Sequence, residues 1–207
     1  MINVNVGVST VLFWEWFKSN AVSLAQRPAP EAVDAIVDRL QSINANISAE
    51  VSDLSASNFK ELVITSHGES SCFDFIVDFV RHAPEIPQWR IHSLKPPRGF
   101  DFTVASSPDL TIRDWRFVPL KRNPEFREFG VRIEMSQYDY ARVDGHIVAS
   151  ILEEGIGEVL FSACTYIEFD VSANQVSMPI AQLSEAIHAW CLLRGPSSLR
   201  KFLPALD

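Results

Sequence analysis

The chain has 207 residues and carries 18 Lys and Arg side chains against 26 Asp and Glu, which gives a formal net charge of −8. Apolar residues make up 47% and charged residues 21% of the chain, an ordinary globular composition that excludes an intrinsically disordered protein. No stretch approaches the roughly 18 consecutive apolar residues of a membrane-spanning helix, and the acidic balance argues against a nucleic-acid partner, because phosphate binding depends on clustered Lys and Arg.

A helical hairpin is predicted for residues 10–44. Apolar side chains recur at helical spacing through residues 10–26, with Phe13 and Phe17 on one stripe. A proline-containing segment at 27–30 interrupts this pattern, and Pro30 suits the first turn of a second helix. The second helix is also amphipathic, so the two are expected to pack against each other.

Two units with the same order of elements follow the hairpin. Residues 47–94 are predicted as strand–strand–helix–strand, and residues 110–171 have the same order without any residue-level repeat. A last helix is predicted at 179–193. Because the strands are short and alternate in polarity, we expect one mostly antiparallel sheet with helices on one face. The predicted fold is a single α+β domain over residues 1–207.

Four short segments of the chain form a set: Phe13-Trp14-Glu15-Trp16-Phe17, Glu61-Leu62-Val63-Ile64-Thr65 with a glycine close behind, Ala83-Pro84 shortly before Trp89, and Gly157-Glu158 ahead of a strand. These segments resemble landmarks of an uncharacterised bacterial family of hypothetical proteins with no settled activity, and the likeness extends over most of the chain. The resemblance implies a soluble bacterial α+β protein and carries over no catalytic residue.

The segment from Gly68 to Cys72, between a predicted strand and a predicted helix, matches part of the G-x-S-x-G nucleophile elbow. Cys72 replaces the final glycine of that motif, and the strand pattern offers no parallel sheet to hold the elbow. We therefore predict no catalytic residue here. Ser70 and Ser71 are interpreted as caps of the following helix.

Cysteine and histidine spacings predict neither a disulfide framework nor a metal site. Cys72, Cys164 and Cys191 lie far apart without a Cys-x-x-Cys pair, and no two histidines form a His-x-x-x-His pair. We expect buried thiols and no metal or other cofactor. The first fourteen residues lack the basic region and cleavage site of a signal peptide, so a cytoplasmic location is predicted.

Three kinds of surface are candidate contact sites. Trp14 lies about 100° from Phe13 on the helix wheel, which predicts either a cover over the first turn or an exposed interface anchor. The segment 90–132, which contains Arg90, Arg98 and Arg132, has nine basic and five acidic residues within an acidic chain. It is expected either to neutralise the protein's own acidic helices or to contact an acidic partner.

The third candidate is the polar face of the predicted sheet. Cross-strand ion pairs within this face are one interpretation, and a protein partner is the other. The adjacent carboxylates Glu153 and Glu154 are interpreted as the solvated end of a helix. The polar-face residues are Glu50, Arg90, His92, Arg132, Glu134, Tyr166, Glu168 and Asp170.

These observations favour a non-enzymatic protein-interaction module of an accessory or immunity-like kind, with another protein as its partner. The alternative is a small-molecule binding protein or enzyme whose site lies in the strand-end loop His67–Glu69, near Arg98, because such loops often carry binding residues. A pocket of several hundred Å³ that contains those side chains would favour the alternative.

Overall fold

The computed structural model describes residues 4–53, 59–120, 129–171 and 176–203. The chain divides into two compact units, Met1–Lys95 and Pro96–Asp207. Each unit contains both helices and a β-sheet, so the predicted α+β class is confirmed. None of the described helices combines the length and the apolar character that crossing a membrane requires.

The first unit begins with the predicted helical hairpin. Pro28 occupies the N-cap position of the second helix and Pro30 lies in its first turn, as the sequence predicts. A short 3₁₀ turn at Ser70–Cys72 precedes the third helix. The elements are α1 (Val4–Gln26), α2 (Ala29–Gln41), β1 (Ser48–Asp53), β2 (Lys60–Thr65), α3 (Phe73–Arg81) and β3 (Trp89–Ser93).

The sheet of the first unit is mixed and has the strand order β1-β2-β3. Strand β1 is antiparallel to β2, whereas β2 and β3 are parallel because the α3 crossover returns the chain to the same end of the sheet. Alternate residues point to opposite faces, so Ala49, Leu62 and Ile64 lie on one face and Glu61 and His92 on the other.

The second unit has its own four-stranded mixed sheet, with the order β6-β5-β4-β7. Strand β5 is antiparallel to β4 and parallel to β6, and three helices lie between β5 and β6 along the chain. The elements are β4 (Arg116–Leu120), β5 (Phe129–Glu134), α4 (Gln137–Tyr140), α5 (Gly145–Ile156), α6 (Glu158–Phe161), β6 (Cys164–Asp170), β7 (Met178–Pro179) and α7 (Leu183–Leu193).

The predicted single, mostly antiparallel sheet is wrong, because the described strands form two separate sheets. In each unit one strand pair is joined through helices and is therefore parallel. The last helix also begins later than predicted. Pro179 pairs with Arg116 as part of β7, and a 3₁₀ turn at Ile180–Gln182 precedes Leu183.

An aromatic cluster forms the core of the first unit. The rings of Phe13 and Trp14 in α1 each lie 5.1 Å from the ring of Phe79 in α3, and the Phe17 ring lies 5.0 Å from that of Trp89 in β3. The Trp89 indole Nε1 donates a hydrogen bond to the carbonyl oxygen of α1 residue Ala21 at 3.1 Å. Through these contacts the buried side of α1 packs against α3 and β3.

Candidate functional site

Among the described side chains of the first unit, the most exposed apolar surface lies on α1. Val8, Val11, Leu12 and Val22 are 56, 52, 59 and 68% exposed, although a surface helix normally presents polar side chains to water. The same side also carries the exposed side chains of Glu15 and Lys18, while Phe13 and Phe17 on the other side are buried. The outer face of α1 is defined by Val8, Val11, Leu12, Glu15, Lys18 and Val22.

Trp14 does not belong to the outer face of α1. Its side chain is only 3% exposed, and its Nε1 donates a hydrogen bond to the carbonyl oxygen of Phe79 at 2.9 Å. Of the two alternatives predicted for Trp14, the exposed interface anchor is therefore wrong. Helix α1 is buried over a wider arc than one stripe, because aromatic side chains on α3 and β3 both pack against it.

The strand-end loop His67–Glu69 has a structural role. Glu69 Oε1 accepts a hydrogen bond from the backbone nitrogen of Ser71 at 3.1 Å and caps the 3₁₀ turn that leads into α3. Hydrogen bonds from Ser71 lower the pKa of the Glu69 carboxyl. Glu69, not the Ser70 and Ser71 pair, is thus the cap. Nδ1 of His67 lies 4.0 Å from Oε1 of Glu50.

The polar face of the first sheet contains two close side-chain pairs, one between the neighbouring strands β2 and β3 and one between β1 and Lys95, which follows β3. Glu61 lies 3.0 Å from Nε2 of His92 and accepts a hydrogen bond from the Ser52 hydroxyl at 3.2 Å. Nζ of Lys95 lies 2.7 Å from Oε1 of Glu50. These contacts match the interpretation of internal pairing. Arg90 remains exposed, and its guanidinium lies 5.2 Å from the ring centre of Phe59.

The polar face of the second sheet ranges from the buried Glu134 to the exposed Asp170, and several of its side chains lie close to one another. Glu134 is 2% exposed and lies 3.8 Å from Nε of Arg132, while the Tyr166 hydroxyl donates a hydrogen bond to Glu168. Arg116 donates hydrogen bonds to Ser177. Of the basic residues in segment 90–132, Lys121, Arg122 and Arg127 lie outside the described residues.

Arg98 lies in the second unit, where the segment after Pro96 runs along α5. Its guanidinium lies 2.8 Å from Oε1 of Glu154, and its backbone nitrogen donates a hydrogen bond to the Glu154 carbonyl oxygen at 3.1 Å. Glu154 is therefore paired, and Glu153 is buried, so the prediction of a solvated carboxylate pair is wrong.

A cleft of about 460 Å³ lies between this segment and α5. It places Arg98, His146, Ser150 and Glu154 around one space, but the His67–Glu69 loop belongs to the first unit and is not part of its lining. The lining residues are Arg98, Phe102, Thr103, Val104, Ser106, His146, Ile147, Ser150, Ile151 and Glu154.

Gly155 allows the segment after Pro96 to approach α5 closely. A Cβ atom at Gly155 would lie 2.3 Å from Cε1 of the buried Phe100 ring. We expect Gly155→Ala to destabilise the protein by about 1–3 kcal/mol, because the ring or the helix must shift. Gly145→Ala in the same helix is the control, since a Cβ there meets nothing within 4 Å. Thermal unfolding of both variants checks this, and equal melting temperatures would contradict it.

The three cysteines are free, and desolvation raises the pKa of two of them. Cys72 and Cys191 are buried, and Cys164 is half-buried. Desolvation raises the pKa of Cys164 to about 12 and that of Cys191 to about 11. Neither of these two is a nucleophile at neutral pH, because the thiolate is the reactive form.

One spacing typical of metal ligands occurs in α7, where Glu185 precedes His188 by three residues. In the structure Glu185 is exposed whereas His188 is buried. Among the described residues, this pair does not belong to any group of three His, Cys, Asp or Glu side chains with converging ligand atoms. No family model, curated protein or solved structure matches the chain.

Proposed function

We propose that the chain is a non-enzymatic protein-interaction module of an accessory or immunity-like kind, and that the outer face of α1 contacts the partner. The observation that carries this proposal is the exposure of Val8, Val11 and Leu12, each by more than half, on one side of a helix whose other side is buried. Contiguous exposed apolar side chains mark interaction sites, because burial against a partner removes them from water.

The hydrogen bonds and ion pairs of the candidate site residues support a protein-interaction role more than a catalytic one. Glu69 caps a turn, Glu61 pairs with His92, and Arg98 pairs with Glu154. These contacts occupy the groups that general acid–base chemistry would need to keep available to a substrate. Three free thiols are typical of a reducing compartment, which supports the proposed cytoplasmic location.

Photo-crosslinking in living cells tests the proposal. A photoreactive amino acid replaces Leu12 on the outer face of α1, and the control carries it at the exposed Asp34 on α2. We expect a covalent protein adduct from position 12 and none from position 34. If position 12 yields no adduct under conditions in which the protein is folded and abundant, the proposed function is wrong.

A second candidate function rests on the cleft along α5. Its volume of about 460 Å³ is that of a small-molecule site, and it combines apolar Ile147 and Ile151 with polar Ser150 and Arg98. Binding there predicts that one class of small molecule raises the melting temperature of the wild type. The same molecule should not change the melting temperature of a Ser150→Trp variant. Ser150 is exposed and lines the cleft, so the larger side chain would fill it.

A further inference from the structure

The outer face of α1 has the spacing of a coiled-coil seam. Val8, Val11, Glu15, Lys18 and Val22 follow one another at intervals of three, four, three and four residues, and all five are exposed. This alternation places side chains in one line along a helix and is the pattern through which two helices interlock. From Val8 to Val22 the line is about 21 Å long, or roughly four turns.

The charged residues of this seam attract those of a second α1 helix only when the two helices run antiparallel. In a parallel pair, Glu15 would face Glu15 and Lys18 would face Lys18, and like charges would repel. In an antiparallel pair related by a two-fold axis between positions 16 and 17, Glu15 faces Lys18 of the partner subunit. The same axis places Val11 opposite Val22 of the partner subunit. Each contact then occurs twice, as two-fold symmetry requires.

We propose that the partner of the outer face of α1 is a second copy of this chain, bound through an antiparallel pair of α1 helices. The inference rests on the proposed function and specifies its partner. Two valine layers enclose two reciprocal Glu15–Lys18 pairs, so the apolar contacts stabilise the dimer and the charges fix its direction. A seam of this length is small for an interface, so the dimer dissociates on dilution.

Sedimentation of the full-length protein over a range of concentrations tests this dimer. The wild type is expected to shift from the 23.3 kDa chain mass to twice that mass as its concentration rises. Glu15→Lys and Lys18→Glu are each expected to weaken dimerisation at least tenfold, because each places two like-charged pairs in the seam. Circular dichroism checks that each variant keeps its fold, which we expect because both positions are exposed.

Two experiments that restore opposite charges across the seam distinguish specific pairing from a general effect of net charge. The double variant Glu15→Lys/Lys18→Glu is expected to dimerise like the wild type, since it reverses both charges. A mixture of the two single variants is expected to form heterodimers, because every facing pair is then Lys against Glu. Failure of both restorations, or a wild type that remains a monomer at all concentrations, would overturn the inference.

The crosslinking experiment at position 12 distinguishes this inference from the proposed function. An adduct of twice the chain mass supports both. An adduct with a different protein overturns the second-copy inference and leaves the interaction proposal standing, and the absence of any adduct overturns both. Binding of the wild type to lipid vesicles, lost on replacement of Val8 and Val11 by Ser, would show a lipid occupant and also overturn both.

Discussion

Replacing Trp14 with Ala is expected to lower the free energy of unfolding by about 3–5 kcal/mol. The indole is 3% exposed and contacts the rings of Phe13, Phe17 and Phe79. Truncation leaves a cavity among these rings and removes the hydrogen bond to the Phe79 carbonyl oxygen. Denaturation by urea, followed by circular dichroism at a dilute protein concentration, measures the change.

Two further variants show which part of Trp14 matters. Trp14→Phe keeps an aromatic ring and loses the donor, so we expect a smaller loss of about 1–2 kcal/mol. Leu12→Ala, two residues away and 59% exposed, is the control and should stay within about 0.5 kcal/mol of the wild type. Equal midpoints for Trp14→Ala and Leu12→Ala would show that Trp14 is not a core residue.

Asp139→Ala is expected to cost about 3 kcal/mol, because it removes the acceptor of a buried polar network in the second unit. Asp139 is 1% exposed, and its Oδ2 accepts hydrogen bonds from Trp115 Nε1 at 2.8 Å and from the Thr111 hydroxyl at 3.0 Å. Without the carboxylate, the Trp115 N–H loses this acceptor in the core. Urea denaturation monitored by tryptophan fluorescence measures the loss.

Asp144 offers a matched control for the Asp139 prediction. It is also an aspartate that accepts a backbone hydrogen bond, from the Ile147 nitrogen at 2.9 Å, but it lies exposed at the N-cap of α5. Asp144→Ala should therefore cost only about 1 kcal/mol. If Asp139→Ala proves no more destabilising than Asp144→Ala, the buried network does not contribute as the geometry implies.

Local patterns in the sequence predict the elements well, since their causes are local. Pro30 lies in the first turn of α2, where the sequence predicts it. The division into two sheets and the burial of Asp139 depend instead on contacts between distant residues. Nothing near Asp139 in the sequence distinguishes it from a solvated loop aspartate until Trp115 is brought beside it.

In α1, too, the local sequence pattern does not show which side chains are buried and which are exposed. The helix predicted at 10–26 begins at Val4, which adds Val8 to the exposed side. In the sequence, Trp14 is conspicuous because it lies outside the main apolar stripe of the helix. The exposed apolar side chains are instead those of its neighbours Val11 and Leu12. The 3-4-3-4 spacing was present in the sequence, but only the structure shows that those positions face water.

The long-range hydrogen bonds of α1 have a consequence for the protein during its synthesis. Trp14 is bonded to a residue 65 positions later, and Ala21 to one 68 positions later. At about 5–20 residues per second, a ribosome makes α1 roughly 3–14 s before those partners emerge. During that interval both apolar sides of α1 are uncovered. The nascent chain is therefore expected to bind holdase chaperones until Trp89 has emerged from the ribosome.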